Sequence, residues 1–82
     1  NLLRQPITNR EYNDSLRMLT PRETDVLQMV GEGYSSKEIA QAFGLSVRTI
    51  DAHRSNIMRK LKLRGATDMT RLAVKLKLVS QD

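Results

Sequence analysis

Cysteine and tryptophan are missing from this chain, and histidine and phenylalanine occur once each. Without cysteine there is no disulfide staple and no thiolate metal site, and a lone histidine cannot make a metal centre by itself. No nucleophile and base pair, carboxylate pair or phosphate-cradling glycine loop can be assembled, so the expectation is no enzyme, no cofactor, no metal and no small-molecule ligand. An aromatic share of 4% argues against a reader of single strands, which needs rings on which bases stack. No apolar run approaches the ~20 residues that cross a bilayer, and the N-terminus lacks the charged-then-apolar order of a signal peptide. A soluble, cytoplasmic chain with no membrane partner is expected. It begins with Asn rather than Met, which suggests a piece cut from something longer.

What is present is concentrated. Between Ser46 and Arg64 stand Arg48, Arg54, Arg59, Lys60, Lys62 and Arg64 against Asp51 alone, a surplus equal to the net charge of +5 of all 82 residues. The same stretch places Ile50, His53, Ile57 and Leu61 at helical spacing, which predicts an amphipathic helix with one buried stripe. A basic, solvent-facing helix on a small domain is the electrostatic footprint of a nucleic-acid reader. At this length the chain has one domain and one apolar core.

From Asn1 to about Met18 the residues are mostly polar with scattered apolar ones, which reads as an interdomain linker, 1–18, with a short helix over about Asn9–Leu16. The domain proper, 19–82, begins at Thr20-Pro21-Arg22-Glu23: a capping residue, a proline at the first helical position and a Glu three residues past the cap. A first helix of about Pro21–Gly31 follows, with Val26, Leu27, Val30 and Met29 on its apolar face and Gly31 and Gly33 ending it. Ser35 or Ser36 caps a second helix that carries Ile39, Ala40 and Phe43 on one side, and Gly44 stops it. Ser46 caps a third, from Val47 to about Lys62, which Gly65 ends. Helix, short turn with glycine, helix is the helix-turn-helix pattern, with the small Ala40 at the close approach. A fourth helix starts at Thr67 or Asp68, with Met69, Leu72, Ala73 and Leu76 on one face and Val79 trailing. The fold class expected is all-α, with four helices and no strand.

Three spaced blocks carry a resemblance. They are Leu19-Thr20-Pro21-Arg22-Glu23, then Gly33-Tyr34-Ser35-Ser36-Lys37-Glu38-Ile39-Ala40, then the run from Leu45-Ser46-Val47 through Thr49-Ile50-Asp51-Ala52-His53-Arg54-Ser55-Asn56-Ile57-Met58 to Leu61. In this order and spacing they resemble the DNA-binding domain of the LuxR/FixJ/NarL family of bacterial transcription regulators over about Leu19 to Val79. The His-Arg-x-Asn-Ile-Met wording is closest to the FixJ-like response regulators. The resemblance implies a four-helix LuxR-type helix-turn-helix domain whose third helix enters the major groove of duplex DNA and whose fourth often supplies a dimer contact. It also implies an N-terminal regulatory half: a phosphorylated receiver in FixJ-like proteins, an acyl-homoserine lactone binder in quorum-sensing LuxR-like ones. RNA polymerase is a further partner that such a role admits.

With Ile50, His53, Ile57 and Leu61 fixed toward the core, 3.6 residues per turn leave Arg48, Asp51, Ala52, Ser55 and Arg59 outside. Arg48, Asp51, Ala52 and Ser55 are the candidates for base edges: Asp accepts from cytosine, Ser bonds several edges, Ala touches a thymine methyl, and Arg48 takes a guanine or a phosphate. Arg54, Arg59, Lys60 and Lys62 are assigned to phosphates, since long cationic side chains on the flanks of an inserted helix reach the backbone. Lys37 is assigned likewise, at the start of the second helix, and Thr49 matches a family position that touches the backbone. Thr70, Arg71 and Val74 remain on the fourth helix after its core face is taken, and with the family habit they mark a two-fold homodimer on DNA. Lys75 and Lys77 add charge beside that contact, so a monomer or weak dimer is expected without DNA. His53 and the four methionines are read as packing residues, and Tyr34 as a lid on the core. Two competing readings remain: a promoter-contacting domain like the fourth region of a sigma factor, and a helical interaction module whose basic helix docks on an acidic protein.

Overall fold

The computed structural model describes Asp14 and residues 16–76. Among them are four helices in chain order, α1 (Pro21–Gly31), α2 (Ser36–Phe43), α3 (Val47–Leu61) and α4 (Ala66–Lys75), with no strand. Asp14 and residues 16–18 are also helical. The rest of the short helix expected over Asn9–Leu16, together with Lys77 and Val79, lies outside the described residues.

Each of the first three helices opens on a hydroxyl side chain in extended backbone. At α1 the amide of Glu23 donates to Thr20 Oγ1 at 3.1 Å and the amide of Thr20 donates back to Glu23 Oε1 at 3.0 Å. The same reciprocal pair recurs at α2, where Ser35 rather than Ser36 is the cap: Glu38 N to Ser35 Oγ at 3.2 Å and Ser35 N to Glu38 Oε1 at 2.9 Å. These bonds satisfy amides that have no partner inside a helix. They also hold the Glu38 carboxyl below its ordinary pKa, through the Ser35 amide first and its hydroxyl second. At α3 the Thr49 amide donates to Ser46 Oγ at 3.1 Å.

The helices also stop alike. After α1, Gly33 N donates to Val30 O and Tyr34 N to Met29 O; after α2, Gly44 N donates to Gln41 O and Leu45 N to Ala40 O. This paired closure needs one residue in left-handed backbone, and Gly33 (φ +96°) and Gly44 (φ +67°) supply it. After α3 the Leu63 amide reaches Met58 O in the same way, at 2.8 Å. Here the left-handed residue is Lys62, φ +57°, the one non-glycine with positive φ among the described residues. This corrects the sequence expectation that Gly65 ends α3. Gly65 is extended, φ 177°, and stands at the cap of α4, whose first helical residue is Ala66 rather than Thr67 or Asp68. Asp68 still helps there, accepting from the Arg64 amide at 3.0 Å.

One apolar core unites the helices: Leu19, Val26, Leu27, Val30, Ile39, Ala40, Ile50, Ile57, Met69, Ala73 and Leu76 are buried. α1 is central, packing on α4 and α3, while α2 packs chiefly on α3. Burial of Ile50 and Ile57, both wholly shielded from solvent, contributes about 1.5–3 kcal/mol apiece and fixes which side of α3 faces inward. Phe43 is half-buried and is capped by the Arg22 guanidinium, 4.4 Å from the ring centroid. Two expected packing residues lie on the surface instead. Tyr34 is 45% exposed, because its place in the α1 closure turns it to solvent, and Met18, ahead of the core, is 51% exposed.

Candidate nucleic-acid interface

Because Ile50 and Ile57 anchor one side of α3, the opposite side is presented to solvent along its whole length. Val47, Arg48, Asp51, Ala52, Ser55 and Arg59 are all exposed. All four candidate base readers, Arg48, Asp51, Ala52 and Ser55, therefore share one outward face. Lys62 is exposed at the C-terminal end of the helix, as is Lys37 in the first turn of α2, while Thr49 and Arg54 are half-buried.

Polar contacts hold several of these groups in place. The hydroxyls of Ser46 and Thr49 stand 2.9 Å apart, so Thr49 contributes to the capped turn where α3 begins. Arg54 Nη1 donates to Ser36 Oγ at 3.0 Å, a bond across the two helices that ties the middle of α3 to the first turn of α2. A guanidinium has five N–H donors, so the others remain for a further acceptor. Arg59 Nη2 donates to Asn56 Oδ1 at 3.1 Å, one helical turn back.

Lys60 departs from its expected role. Its ammonium is not turned to the flank of α3 but donates to Glu23 Oε1 at 2.6 Å. Glu23 is 3% exposed, the one buried charged residue among those described. Lys60 lies seven positions after His53, two helical turns on, and so returns to the inward edge of the helix rather than its outer face. Burial pushes the Glu23 carboxyl up, but the Lys60 hydrogen bond, the Thr20 amide and the charges of Lys60 and His53 together hold it below its ordinary value. This carboxylate does two things: it caps α1 and it pins the last turn of α3 to α1. The Thr20-x-x-Glu23 pattern carries the first of these in the sequence; for the second, helical spacing gives only the inward placement of Lys60, and its partner lies 37 residues away.

The electrostatics of the helix ends set α3 apart. α1, α2 and α4 each carry an acidic residue in the first turn (Glu23, Glu38 and Asp68), whereas α3 has none there and carries Arg48. Its opening turn keeps the positive end of the helix dipole uncompensated, which favours an approaching anion. On α4, Arg71 is exposed, Thr70 and Val74 are half-buried, and the Thr70 hydroxyl is spent on Ala66 O at 3.1 Å within its own helix. Arg71 lines a shallow groove with Leu63, Asp68, Leu72 and Lys75. Among the described residues no three His, Cys, Asp or Glu side chains come together to hold a metal, and no helix is long and apolar enough to cross a membrane.

The sequence pattern described as bacterial regulatory proteins, luxR family, matches residues 17–73, which take in α1, α2, α3 and most of α4. Among individual proteins, the chain is 40% identical over 67 residues to the oxygen regulatory protein NreC of Staphylococcus carnosus (strain TM300), an alignment covering 82% of this chain and 31% of that protein. It is 37% identical over 67 residues to the protein of the same name from Staphylococcus haemolyticus (strain JCSC1435), with the same shares covered. The match to that of Staphylococcus aureus (strain bovine RF122 / ET3-1) is also 37%, over 67 residues. The chain thus spans about a third of the length of the curated relatives it matches, 31% in each of these three.

Proposed function

Because the chain belongs to the luxR family of bacterial regulatory proteins, we propose that it reads specific double-stranded DNA through the exposed face of α3, as the effector portion of a cytoplasmic response regulator. The observation that carries this reading is the division of α3 into an anchored side and a bare one. Short side chains suited to a groove, Asp51, Ala52 and Ser55, lie together on the bare side with Arg48 at its start. In this arrangement α3 enters the major groove with its N-terminal half toward the bases. Arg59, Lys62, Arg54 and Thr49 meet phosphates along the flanks, and Lys37 meets one from the first turn of α2. Lys60, held by Glu23, serves the fold instead of the phosphate backbone. The likeness to oxygen regulatory proteins supports the regulator role. The FixJ-like wording of α3 favours a phosphorylated receiver over a lactone-binding domain as the regulatory half.

Two copies dock on DNA through α4, with Thr70, Arg71 and Val74 at the contact and half-sites in inverted order. Arg71 and Lys75 repel their counterparts across such a contact, so the dimer forms on DNA rather than before it. The test is selection of bound duplexes from a random pool at about physiological salt, followed by sequencing. A motif with two inverted half-sites supports specific readout and paired docking. Binding that merely fades as salt rises, with no motif, removes the reading of specificity and favours a purely electrostatic partner.

A further inference from the structure

Val47 is 42% exposed, one of three large apolar side chains on the surface of the described residues. The other two, Met18 and Tyr34, lie outside the helix-turn-helix, whereas Val47 is the first residue of α3. Its position on that helix is what gives it meaning. Steps of four residues along an α-helix follow a single ridge, and Val47, Asp51, Ser55 and Arg59 form one such ridge, exposed at every step. From Val47 to Ser55 the ridge rises roughly 12 Å, the length of three to four base-pair steps. Val47 is therefore in line with the proposed base readers, at the N-terminal end that approaches base edges most closely when a recognition helix docks.

Among the described residues none closes over this isopropyl group, which keeps 42% of its surface open. It carries no hydrogen-bonding atom, so it can address neither a phosphate nor the polar edge of a base. The one apolar feature that a base pair shows in the major groove is the C5-methyl of thymine.

We infer that Val47 is a specificity-determining residue that reads a thymine methyl at one end of each half-site, next to the base pair addressed by Asp51. The inference rests on the DNA reading above and extends it to a residue chosen by its exposure and its place on the ridge. It also makes the preference chemical rather than positional: 5-methylcytosine satisfies the same contact, and uracil does not.

The experiment uses the full chain and the duplex recovered by selection, with each thymine replaced singly by uracil, and measures binding by the natural protein and by Val47→Ala. Alanine at this exposed first position suits the helix, and an unchanged unfolding midpoint confirms that the variant folds. The expected result is one thymine per half-site whose replacement weakens the natural protein about fourfold, the value of one buried methyl group. Val47→Ala binds the thymine duplex more weakly by a similar factor and no longer distinguishes thymine from uracil there, a coupling that separates direct contact from general weakening. If every uracil penalty is the same in both proteins, the assignment of Val47 is overturned while the DNA reading stands. If selection returns no motif, the DNA reading falls and the inference falls with it.

Discussion

On the side of α3 that faces the core, Ile50 and Ile57 are wholly buried and Lys60 is locked to a buried carboxylate; on the other side Val47, Arg48, Asp51, Ala52, Ser55 and Arg59 stand in solvent. The inward side has its partners already, and each substitution there removes a contact that the fold uses. The outward side makes few contacts with the rest of the domain, so its sequence is free to be chosen for something outside. Charge alone does not sort the cations of α3 by role. Lys60 and Lys62 are two positions apart and carry the same charge, yet one is pinned to α1 and the other is exposed in left-handed backbone.

The most severe way to break the inward side is Ile57→Ala. The side chain is completely buried, so the loss is about 2–5 kcal/mol, set by how far the surrounding core collapses into the cavity. In urea the midpoint falls with little change in slope, and the protein that remains folded keeps its base preference. A changed preference in the folded fraction would mean that the two sides are not independent.

Next is the ion pair. Lys60→Met keeps the apolar stem and leaves Glu23 with the Thr20 amide but without its ion-pair partner. Removing one partner from a fully buried pair costs roughly 3–5 kcal/mol, and with 28% of the Lys60 side chain exposed the expected loss is nearer 2 kcal/mol. The salt dependence of DNA binding should stay as it was, in contrast to a phosphate-contacting lysine, whose removal reduces the slope by about one unit. The pair also ties stability to pH. Glu23 is held below its ordinary value of 4.5, so between the two values the unfolded chain takes up a proton that the folded one refuses. Stability from this group is therefore complete above pH 4.5 and is lost as pH falls through the lowered value. Glu38, lowered by its own cap, acts in the same direction. Unfolding midpoints measured from neutral pH downward should drop less steeply in Glu23→Gln than in the natural chain; equal slopes would refute the coupling.

On the outward side the same size of effect appears in a different measurement. Asp51→Ala should leave stability within about 0.5 kcal/mol and shift the preference at one base pair by about 1–3 kcal/mol. Equal weakening on selected and random duplexes would remove Asp51 from the base-reading set.

How much of this was legible beforehand depended on whether the signal was local. Caps and proline gave α1 its bounds, and the stripe of Ile50, His53 and Ile57 told the two sides of α3 apart, because helical periodicity is a property of neighbours in sequence. The outward placement of Arg48, Asp51, Ala52 and Ser55 followed from the same arithmetic. The ion pair between Glu23 and Lys60 did not, since 37 residues separate its members and only the packing of α3 on α1 brings them together. Charge alone assigns Lys60 to a phosphate, whereas its place two turns after His53 puts it at the inward edge. The expectation that Tyr34 is a lid on the core fails because its place in the backbone closure of α1 leaves the ring at the surface. The end of α3 at about Lys62 is legible in the sequence, but the residue that makes the closure is not: glycine is the usual left-handed residue, which points to Gly65, whereas Lys62 holds that conformation.

That exception gives the smallest and most diagnostic prediction. α1 and α2 close on Gly33 and Gly44, while α3 closes by the same backbone bond on a lysine at φ +57°. Left-handed backbone costs a residue with a Cβ roughly 1–2 kcal/mol, and glycine in its place adds roughly 0.4–1 kcal/mol of unfolded-chain entropy. Lys62→Gly should therefore stabilise the domain by about 0.5–1 kcal/mol, against the usual direction of surface substitutions. Backbone strain is often kept where a side chain serves something besides the fold, and the phosphate contact proposed for Lys62 is such a service. The same variant should then bind all duplexes more weakly, with a salt slope reduced by about one unit and base preference intact. Greater stability with an unchanged slope would leave Lys62 as strain without a function, and the contrast with Lys60 would reduce to packing alone.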